Sequence, residues 1–255
     1  MIRDERGLPL STDSAEAAAR GRGLGRGALR HTDECKMGKS VVLRRRLLQA
    51  PIAYCAGMPF VARALAAEVL LPTPSQTAGP FYPLTFPADA DNDLVHVAGR
   101  PAAASGTATR IVGRVLDRSG RPLAGAQVEI WQCDAHGRYH HVSDGRDGRP
   151  LDDKFQGYGR TAADQSGSYS FLTIRPVPYP GRTPHIHFAV SGGGLGRLVT
   201  QMYVAGEPDN ERDAVLLGVR DPVARARLIV DLRPAPEIGL GALAGTFDIV
   251  IGAAG

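Results

Sequence analysis

The stretch PHIHFAVS, residues 184–191, decides both the fold and the chemistry of this chain. In this stretch every second position is apolar, which is the pattern of a β-strand, because residues two apart on a strand lie on the same face. On such a strand His185 and His187 lie side by side and can bind one metal ion. Phe188 and Val190 continue into apolar sequence, which places the pair at the mouth of a core strand. The alternative is a histidine pair on a solvated strand face.

The sequence after residue 110 predicts a β-sandwich. Short runs rich in Val, Ile, Phe and Tyr are separated by turn clusters such as DRSG (117–120) and DQSG (164–167). No long helical pattern with caps follows Ala67, and 31 Gly and 19 Pro suit a turn-rich β fold. We expect seven or more strands, and the candidates are Arg110–Leu116, Ala126–Cys133, Ser168–Ile174, His185–Ser191, Val199–Val204, Leu228–Leu232 and Thr246–Ile251.

Residues 67–109 predict an extended arm followed by a loop. Five prolines from Pro72 to Pro87 prevent regular structure there. The expected fold class is therefore mainly β, a β-sandwich with long loops and an extended N-terminal arm. A single domain over residues 67–255 is long enough to bury a core.

The charge of the chain is uneven. Residues 1–66 hold 12 Lys and Arg against 6 Asp and Glu, whereas residues 67–255 hold 18 against 20. The formal net charge of +4 therefore comes from the leader, and the remainder has no basic excess that would predict nucleic-acid binding. Because no run of 18 apolar residues occurs, we expect no membrane-spanning helix.

The leader divides into two parts. Residues 1–36 are unpatterned, which indicates disorder or a start assigned too early, with translation beginning at Met37. Residues 37–66 resemble a twin-arginine export signal, in which Arg44–Arg46 precede a weakly apolar stretch that ends in Ala64–Ala66. The alternative is a short amphipathic helix with a basic end. We expect an exported, periplasmic protein, or a cytoplasmic one if the leader is not functional.

Two tyrosines stand near the histidine pair in restrictive sequence. Tyr179 lies between prolines in PVPYP (176–180), and Tyr139 lies in HGRYHH (136–141). A phenol with its ordinary pKa near 10 is a poor ligand. Trivalent iron can deprotonate it and gain an anionic oxygen donor. Packing in the core or at its rim is the alternative for each tyrosine.

Three short motifs follow one another along the chain: GRY (137–139), PYP (178–180) and PHIHF (184–188). In this order they resemble the ligand motifs of the intradiol ring-cleavage dioxygenases. The likeness extends over about residues 72–204 and fades in the C-terminal strands. Supporting segments are TPSQTAGPFYP (73–83), GRV (113–115), residues 125–132, GSYSF (167–171) and TQMY (200–203).

The resemblance implies a prealbumin-like sandwich with one non-haem Fe(III). Carried onto this chain, its ligands are Tyr139, Tyr179, His185 and His187. The implied partners are a small aromatic diol and dioxygen. The implied reaction cleaves a catechol between its two hydroxylated carbons and gives a cis,cis-muconate, with Tyr179 leaving the metal to accept a substrate proton.

Three further residues match family positions. Arg182 matches an arginine that lies over bound substrate, where it would stabilise developing negative charge. Gln201 matches a polar residue near the iron and is a catalytic candidate with Arg182. Tyr82, in the arm, matches a substrate-binding tyrosine at the pocket mouth.

The chain also departs from the best-known members. Only five residues separate Tyr179 from His185, with Gly181 where protocatechuate enzymes carry a bulky aromatic in a longer insertion. The ring substituent therefore stays open. Catechol 1,2-dioxygenases have a helical N-terminal dimerisation region, and nothing after Ala67 predicts a helix, so the chain looks closer to the protocatechuate type. It could therefore function as a homo-oligomer built from a single type of chain.

Two other classes remain open. Residues 113–131 also resemble transthyretin-like sandwiches, which would make the chain an exported binding module without catalysis. A zinc hydrolase would use His185 and His187 with a third ligand from the loop histidines, for which solvated positions are the simpler interpretation. Colour separates these classes, because Fe(III)-tyrosinate is red. No role in the site is expected for four further residues. Cys133 should be buried and unreactive, and His136, His140 and His141 should be solvated loop residues.

Overall fold

The computed structural model describes residues 69–144, 148–192 and 194–252, and these residues are mainly β, as predicted. Within them, two mixed sheets contain five strands each. In chain order the strands are β1 Ala108–Asp117, β2 Gln127–Trp131, β3 Tyr158–Ala162, β4 Ser168–Ile174, β5 His185–Gly192, β6 Leu195–Val204, β7 Ile229–Val230, β8 Arg233–Pro234, β9 Leu243–Thr246 and β10 Ile249–Ile251.

The first sheet is built around β1. β4 pairs with it in the antiparallel sense along one side, and β9 and β10 pair with it in parallel along the other. β8 extends the sheet beyond β9. Between β9 and β10 the backbone of Phe247 runs against Gly113, where an added Cβ would overlap the Phe247 carbonyl group. Only glycine therefore fits at this point of β1.

The second sheet has the order β3-β2-β5-β6-β7 and is antiparallel except for the last pair. In its register Trp131 lies opposite His187, and His187 lies opposite Gln201 on the other side. Side chains directly opposite one another project to the same face. The sheet therefore collects these three side chains on one surface.

The two sheets pack through their inner faces. Ile186, Phe188 and Val190 of β5 are fully buried in one apolar core with Ile111 of β1 and Phe171 of β4. Burying such a side chain contributes about 1.5–3 kcal/mol. Alternation along β5 therefore turns the apolar residues to the core and the two histidines to the outer face.

Most of the predicted strands agree with the structure. Ser168–Ile174 is β4, and five other predicted segments overlap β1, β2, β5, β6 and β7. The prediction of Thr246–Ile251 as one strand is wrong, because two residues separate β9 from β10. β3 was not predicted, since its sequence YGRTA combines Gly and Arg with little apolar alternation.

The expectation that nothing helical follows Ala67 is wrong in detail. Asp213 and Asp221 cap two short helices, and an Asp is a favoured N-cap residue. Among the described residues, the helical segments are a 3₁₀ turn Pro208–Glu211, α1 Ala214–Leu217 and α2 Pro222–Ala226. Each spans about one turn, too short to show a helical apolar period in the sequence. In the described part of the chain no helix has the length and apolarity to cross a membrane.

The predicted arm runs from β10, in the first sheet, past β6 and onto the outer face of the second sheet. The Thr73 N–H donates to the Val250 carbonyl oxygen at 2.9 Å, and the Gln76 N–H donates to that of Val199 at 2.8 Å. With a further bond from the Val250 N–H to the Thr73 hydroxyl, these are isolated contacts rather than a continuous ladder, as expected of a proline-rich segment. With the arm in place, a second, smaller apolar cluster forms around Trp131 on the outer face.

The predicted leader lies outside the described residues, both its first part, 1–36, and the export signal, 37–66. The boundary at residue 67 lies outside them as well. Export and the domain limits therefore stay predictions.

Candidate metal and active site

The two histidines lie on the outer face of β5, each about 1% exposed. The His185 Nδ1 lies 2.7 Å from the Thr183 carbonyl oxygen. Since a carbonyl only accepts, the proton sits on Nδ1 and the lone pair is left on Nε2. The centroid of the His187 ring lies 4.9 Å from that of His185. Two imidazoles thus stand side by side, as the spacing predicted.

Both imidazoles are held neutral. Burial lowers the pKa of His185 to about 4, and the charge of Arg182 adds to the effect. Burial, together with His185 and Arg182, also lowers the pKa of His187 well below its ordinary value. Neutral imidazoles carry free lone pairs, which is the state that binds a metal.

Tyr139 comes from the loop that follows β2. The Asp134 carboxylate accepts the Arg138 N–H at 3.0 Å, and the Asp144 carboxylate accepts the Tyr139 N–H at 2.6 Å. These bonds fix the loop so that the Tyr139 Oη lies 3.5 Å from the His185 Nε2. The phenol oxygen and the imidazole lone pair therefore meet.

Tyr179 comes from the loop between β4 and β5. A turn in which the Arg182 N–H donates to the Tyr179 carbonyl oxygen at 2.9 Å shapes this loop. Gly181 takes φ 80° in the turn, a conformation that glycine adopts without strain. The Tyr179 ring centroid lies 5.6 Å from that of Tyr139 and 5.4 Å from that of His185. Tyr179 is only half-buried and therefore faces the mouth of the site.

The four rings form a donor set that suits trivalent iron. Burial raises the pKa of Tyr179, and it raises that of Tyr139 well above 10, so both phenols are neutral without a cation. A trivalent cation would favour their ionised form. Across those residues no three His, Cys, Asp or Glu side chains form a group that could hold a metal. The residues present fit iron held by phenolates and imidazoles.

Arg182 lies beside this set in a fixed orientation. Its Nε donates to the Asp213 carboxylate at 2.8 Å, its Nη2 to the Gln201 Oε1 at 2.6 Å, and its Nη1 to the Tyr179 hydroxyl at 3.3 Å. Gln201 is itself anchored, because its Nε2 donates to the Thr77 carbonyl oxygen at 3.0 Å. The structure thus brings Arg182, Gln201 and Tyr179 together.

The sequence reasoning missed Asp213. Its side chain is fully buried, and it accepts hydrogen bonds from the Thr183 N–H at 3.0 Å and from the Leu216 N–H at 3.0 Å, besides Arg182. An Asp before AVLL is a helix N-cap pattern, so a signal existed. That signal predicts where a helix begins and not a contact with an arginine 31 residues earlier.

The arm covers two of the four rings, through residues that were not predicted as site residues. Phe81 stacks on Tyr139 with ring centroids 4.7 Å apart. Gly79 lies against His187, where an added Cβ would be 3.3 Å from Cε1. The resemblance of residues 73–83 to the family was a signal for the arm but not for these contacts.

Tyr82 lies beside the cluster with its hydroxyl turned towards β2. The hydroxyl donates to the Glu129 carboxylate at 2.6 Å, and the Arg197 guanidinium lies 5.0 Å from the ring centroid. The ring packs edge-on against Trp131. These contacts fasten the arm to the sheet. Contact of Tyr82 with substrate stays a prediction.

A cavity of about 250 Å³ opens beside Tyr179 and Arg182. Four charged side chains line it. Arg182 and Asp213 form an ion pair with each other, and the other two are Asp209 and Arg212. The full lining is Pro178, Tyr179, Gly181, Arg182, Thr183, Asp209, Arg212 and Asp213. The cavity meets the half-buried face of Tyr179, where a small ring could reach the donor set.

The four residues expected to play no part in the site are three loop histidines and Cys133, which packs in the same apolar cluster as Tyr139. His136 and His140 are exposed, and the His141 ring lies 5.8 Å from that of Phe81. Burial raises the pKa of the Cys133 thiol to about 12, which leaves it protonated and unreactive at neutral pH.

Known proteins resemble this chain over the same region. A protein-family model described as Dioxygenase matches residues 77–253. The protocatechuate 3,4-dioxygenase beta chain of Burkholderia cepacia is 41% identical over 169 residues, which cover 63% of this chain and 71% of that protein. A hydroxyquinol 1,2-dioxygenase of Rhodococcus opacus is 35% identical over 173 residues, covering 60% of this chain and 53% of that one.

A solved structure agrees with this match. The dioxygenase domain of a dioxygenase and carbohydrate-binding protein fusion from Streptomyces sp. SirexAA-E superposes with a TM-score of 0.56 at 32% identity, over 72% of this chain and 99% of that domain. Fold and comparisons together define a dioxygenase. The chain belongs to the intradiol ring-cleavage dioxygenase family. This assignment decides against the binding-module and zinc-hydrolase alternatives.

Proposed function

We propose that this chain binds one Fe(III) through Tyr139, Tyr179, His185 and His187 and cleaves a catechol with dioxygen between its two hydroxylated carbons. Both oxygen atoms of dioxygen enter the product, a cis,cis-muconate. The observation that carries the proposal is the meeting of two phenols and two neutral imidazoles on one sheet face. When bound, Fe(III) supplies a trivalent charge that ionises phenols and the diol and draws electron density from the ring.

Tyr179 is suited to move a substrate proton. It is the half-buried phenol of the pair and lines the cavity, whereas Tyr139 is fully buried under Phe81. In the proposal the ionised Tyr179 Oη accepts a proton from a diol hydroxyl as the substrate binds. Burial raises the pKa of this phenol, which favours keeping the proton once it has arrived.

Arg182 is suited to stabilise negative charge that develops on the substrate. Its guanidinium is held by Asp213 and Gln201 before any substrate arrives, so its orientation costs nothing during the reaction. Gln201 supports the reaction by holding Arg182 against the arm. The cover of Gly79 and Phe81 keeps water from the inner side of the site.

We further propose a protocatechuate-like substrate, one with an acidic ring substituent. The support is the 41% identity to a protocatechuate 3,4-dioxygenase beta chain and the presence of Arg212 in the cavity lining. A substrate panel with and without a carboxylate, run on wild type and Arg212→Gln, tests this point. A selective rise in KM for the acid is expected, and an equal effect on both substrates contradicts it.

We also propose export by the twin-arginine route, with removal of residues up to about Ala66 and the mature protein in the periplasm. N-terminal sequencing of protein from the native host tests it. A cytoplasmic protein that retains Arg44–Arg46 overturns it.

Iron loading and product identification test the main proposal. The loaded protein should be red, and His187→Ala should lose the colour and most of the iron. Arg182→Ala should keep the colour and lose about a hundredfold to a thousandfold in turnover. A yellow muconic semialdehyde would show cleavage beside the diol instead. No oxygen uptake from a red, fully loaded protein with any catechol would refute the reaction.

A further inference from the structure

The two histidines of β5 are oriented by different means. His185 donates a hydrogen bond from Nδ1 to the Thr183 carbonyl oxygen at 2.7 Å. His187 is buried to the same extent, yet its Nδ1 has no hydrogen-bond partner in the described residues. A histidine that binds a metal usually donates from its second nitrogen, which fixes the ring. A different contact must therefore orient His187.

Trp131 provides that contact. It lies opposite His187 in the pairing of β2 with β5, so the two side chains leave the sheet on the same face. Their ring centroids are 4.8 Å apart and their planes differ by 6°, which is a parallel stack. No other ring pair around the four candidate ligands, as far as the described residues go, is so nearly parallel.

Packing also fixes the indole itself. Tyr82 meets it edge-on, with ring centroids 4.9 Å apart and planes at 84°. The Trp131 Nε1 is buried and, like the His187 Nδ1, has no hydrogen-bond partner in the described residues. Neither ring of the stack is therefore oriented by a hydrogen bond from these nitrogens, and the contact between their faces sets their relative position.

We propose that Trp131 is a positioning residue that holds the His187 imidazole by stacking, in place of the hydrogen bond that holds His185. The proposal rests on the proposed function, because it concerns a ligand of the proposed Fe(III). Trp131 is neither a ligand nor a substrate contact in it. The indole limits rotation of the imidazole so that its lone pair stays directed at the same point as the Tyr139 and Tyr179 oxygens.

The test compares Trp131→Leu with Tyr158→Leu. Tyr158 lies opposite Trp131 on its other side and is equally buried, and its ring contacts are with Tyr82 and Phe86. Both variants remove one buried aromatic from the same cluster, but only the first removes the stack. Trp131→Leu should release iron to a chelator about ten to a hundred times faster than wild type and shift the red absorption band. Tyr158→Leu should do neither.

A conservative variant provides the rescue. Trp131→Phe keeps a flat ring face against His187 and should release iron at nearly the wild-type rate. Trp131→Met fills similar space without a ring and replaces Trp131→Leu if that variant does not fold. Equal iron release from the Phe and Met variants, or from Trp131→Leu and Tyr158→Leu, overturns the proposal.

NMR of the metal-free protein separates this proposal from the proposed function. The His187 ring protons should be shifted by the indole ring current, and Trp131→Leu should remove that shift and broaden the signals, with smaller changes at His185. Unchanged His187 signals in Trp131→Leu overturn the positioning role. A wild type that binds no Fe(III) refutes the proposed function, while the His187 signals still decide the role of Trp131.

Discussion

The two faces of β5 are both buried, but by different kinds of structure. On the inner face, Ile186, Phe188 and Val190 meet the first sheet in one continuous core. On the outer face, His185 and His187 lie beneath the arm and two loops, and a few isolated hydrogen bonds hold the arm in place. The inner face is closed by regular pairing, and the outer face by segments that pair little. Stability should therefore depend mainly on the inner face and metal binding on the outer face.

The largest expected effect is on the inner face. Phe188→Ala should lower the free energy of unfolding of the metal-free protein by about 3–5 kcal/mol, because it leaves a cavity in the core. His187→Ala, one residue away on the outer face, is the matched variant and should lower the free energy of unfolding clearly less, while losing most of the iron. Chemical denaturation of both metal-free variants measures the difference. Equal losses would show that the two faces contribute alike.

Acid should weaken the outer face next most strongly. The pKa of His185 is about 4 in the folded protein, below its ordinary 6.5, so the unfolded chain takes up the proton first as pH falls. The stability of the metal-free protein should therefore be complete above about pH 6.5 and decrease towards pH 4, by about 3 kcal/mol from this group.

Denaturation at several pH values measures this slope. His185→Asn, which cannot take up that proton, should show a shallower decrease over the same range. A slope identical to that of wild type would exclude His185 as its source.

Asp213 should affect turnover without affecting the metal. Asp213→Asn retains a capping side chain but removes the charge that holds Arg182. Since a hydrogen bond to a charged group contributes about 1.5–3 kcal/mol, turnover should fall about tenfold to a hundredfold with the red colour unchanged. Asp221→Asn is the matched control, because Asp221 caps α2 in the same way. Steady-state kinetics of the two loaded variants decides. Equal turnover in both would mean that Arg182 needs no partner at this position.

The smallest effect is expected where the arm is fastened. Tyr82→Phe removes the hydrogen bond to Glu129, worth about 1 kcal/mol, and keeps the aromatic packing. Hydrogen exchange should become faster at the arm amides of Thr73 and Gln76 and stay unchanged in β1. Uniformly faster exchange would indicate a global loss of stability rather than a loosened arm.

The same division explains what could be predicted from sequence. Strands such as β4 and β5 carry an alternating apolar pattern, because one face of each meets the core, and that pattern is local. The spacing of His185 and His187 placed them on one face for the same reason. β3 lacks the pattern, and β8 and α1 are too short to show one.

Contacts between distant segments could not be read in this way. Asp213 reaches Arg182 from a helix cap, and the Tyr82 hydroxyl binds Glu129 rather than facing the donor set. Each contact depends on how a loop or the arm folds back onto the sheet, and the alternation of apolar residues along a strand carries no information about that. The family resemblance identified Tyr139 and Tyr179, because their motifs are short and occur in a fixed order.

The bonds between Thr73 and Val250 have a consequence for the order of assembly. The Thr73 hydroxyl accepts the Val250 N–H at 2.9 Å, and the Thr73 N–H donates back, across 177 residues of sequence. During synthesis the arm therefore cannot take its final place until β10 has left the ribosome. Contacts so distant in sequence form late and slowly. The Tyr139 and His187 rings, which the arm covers, therefore stay uncovered through most of synthesis, and shortening β10 would loosen that cover from a strand of the other sheet.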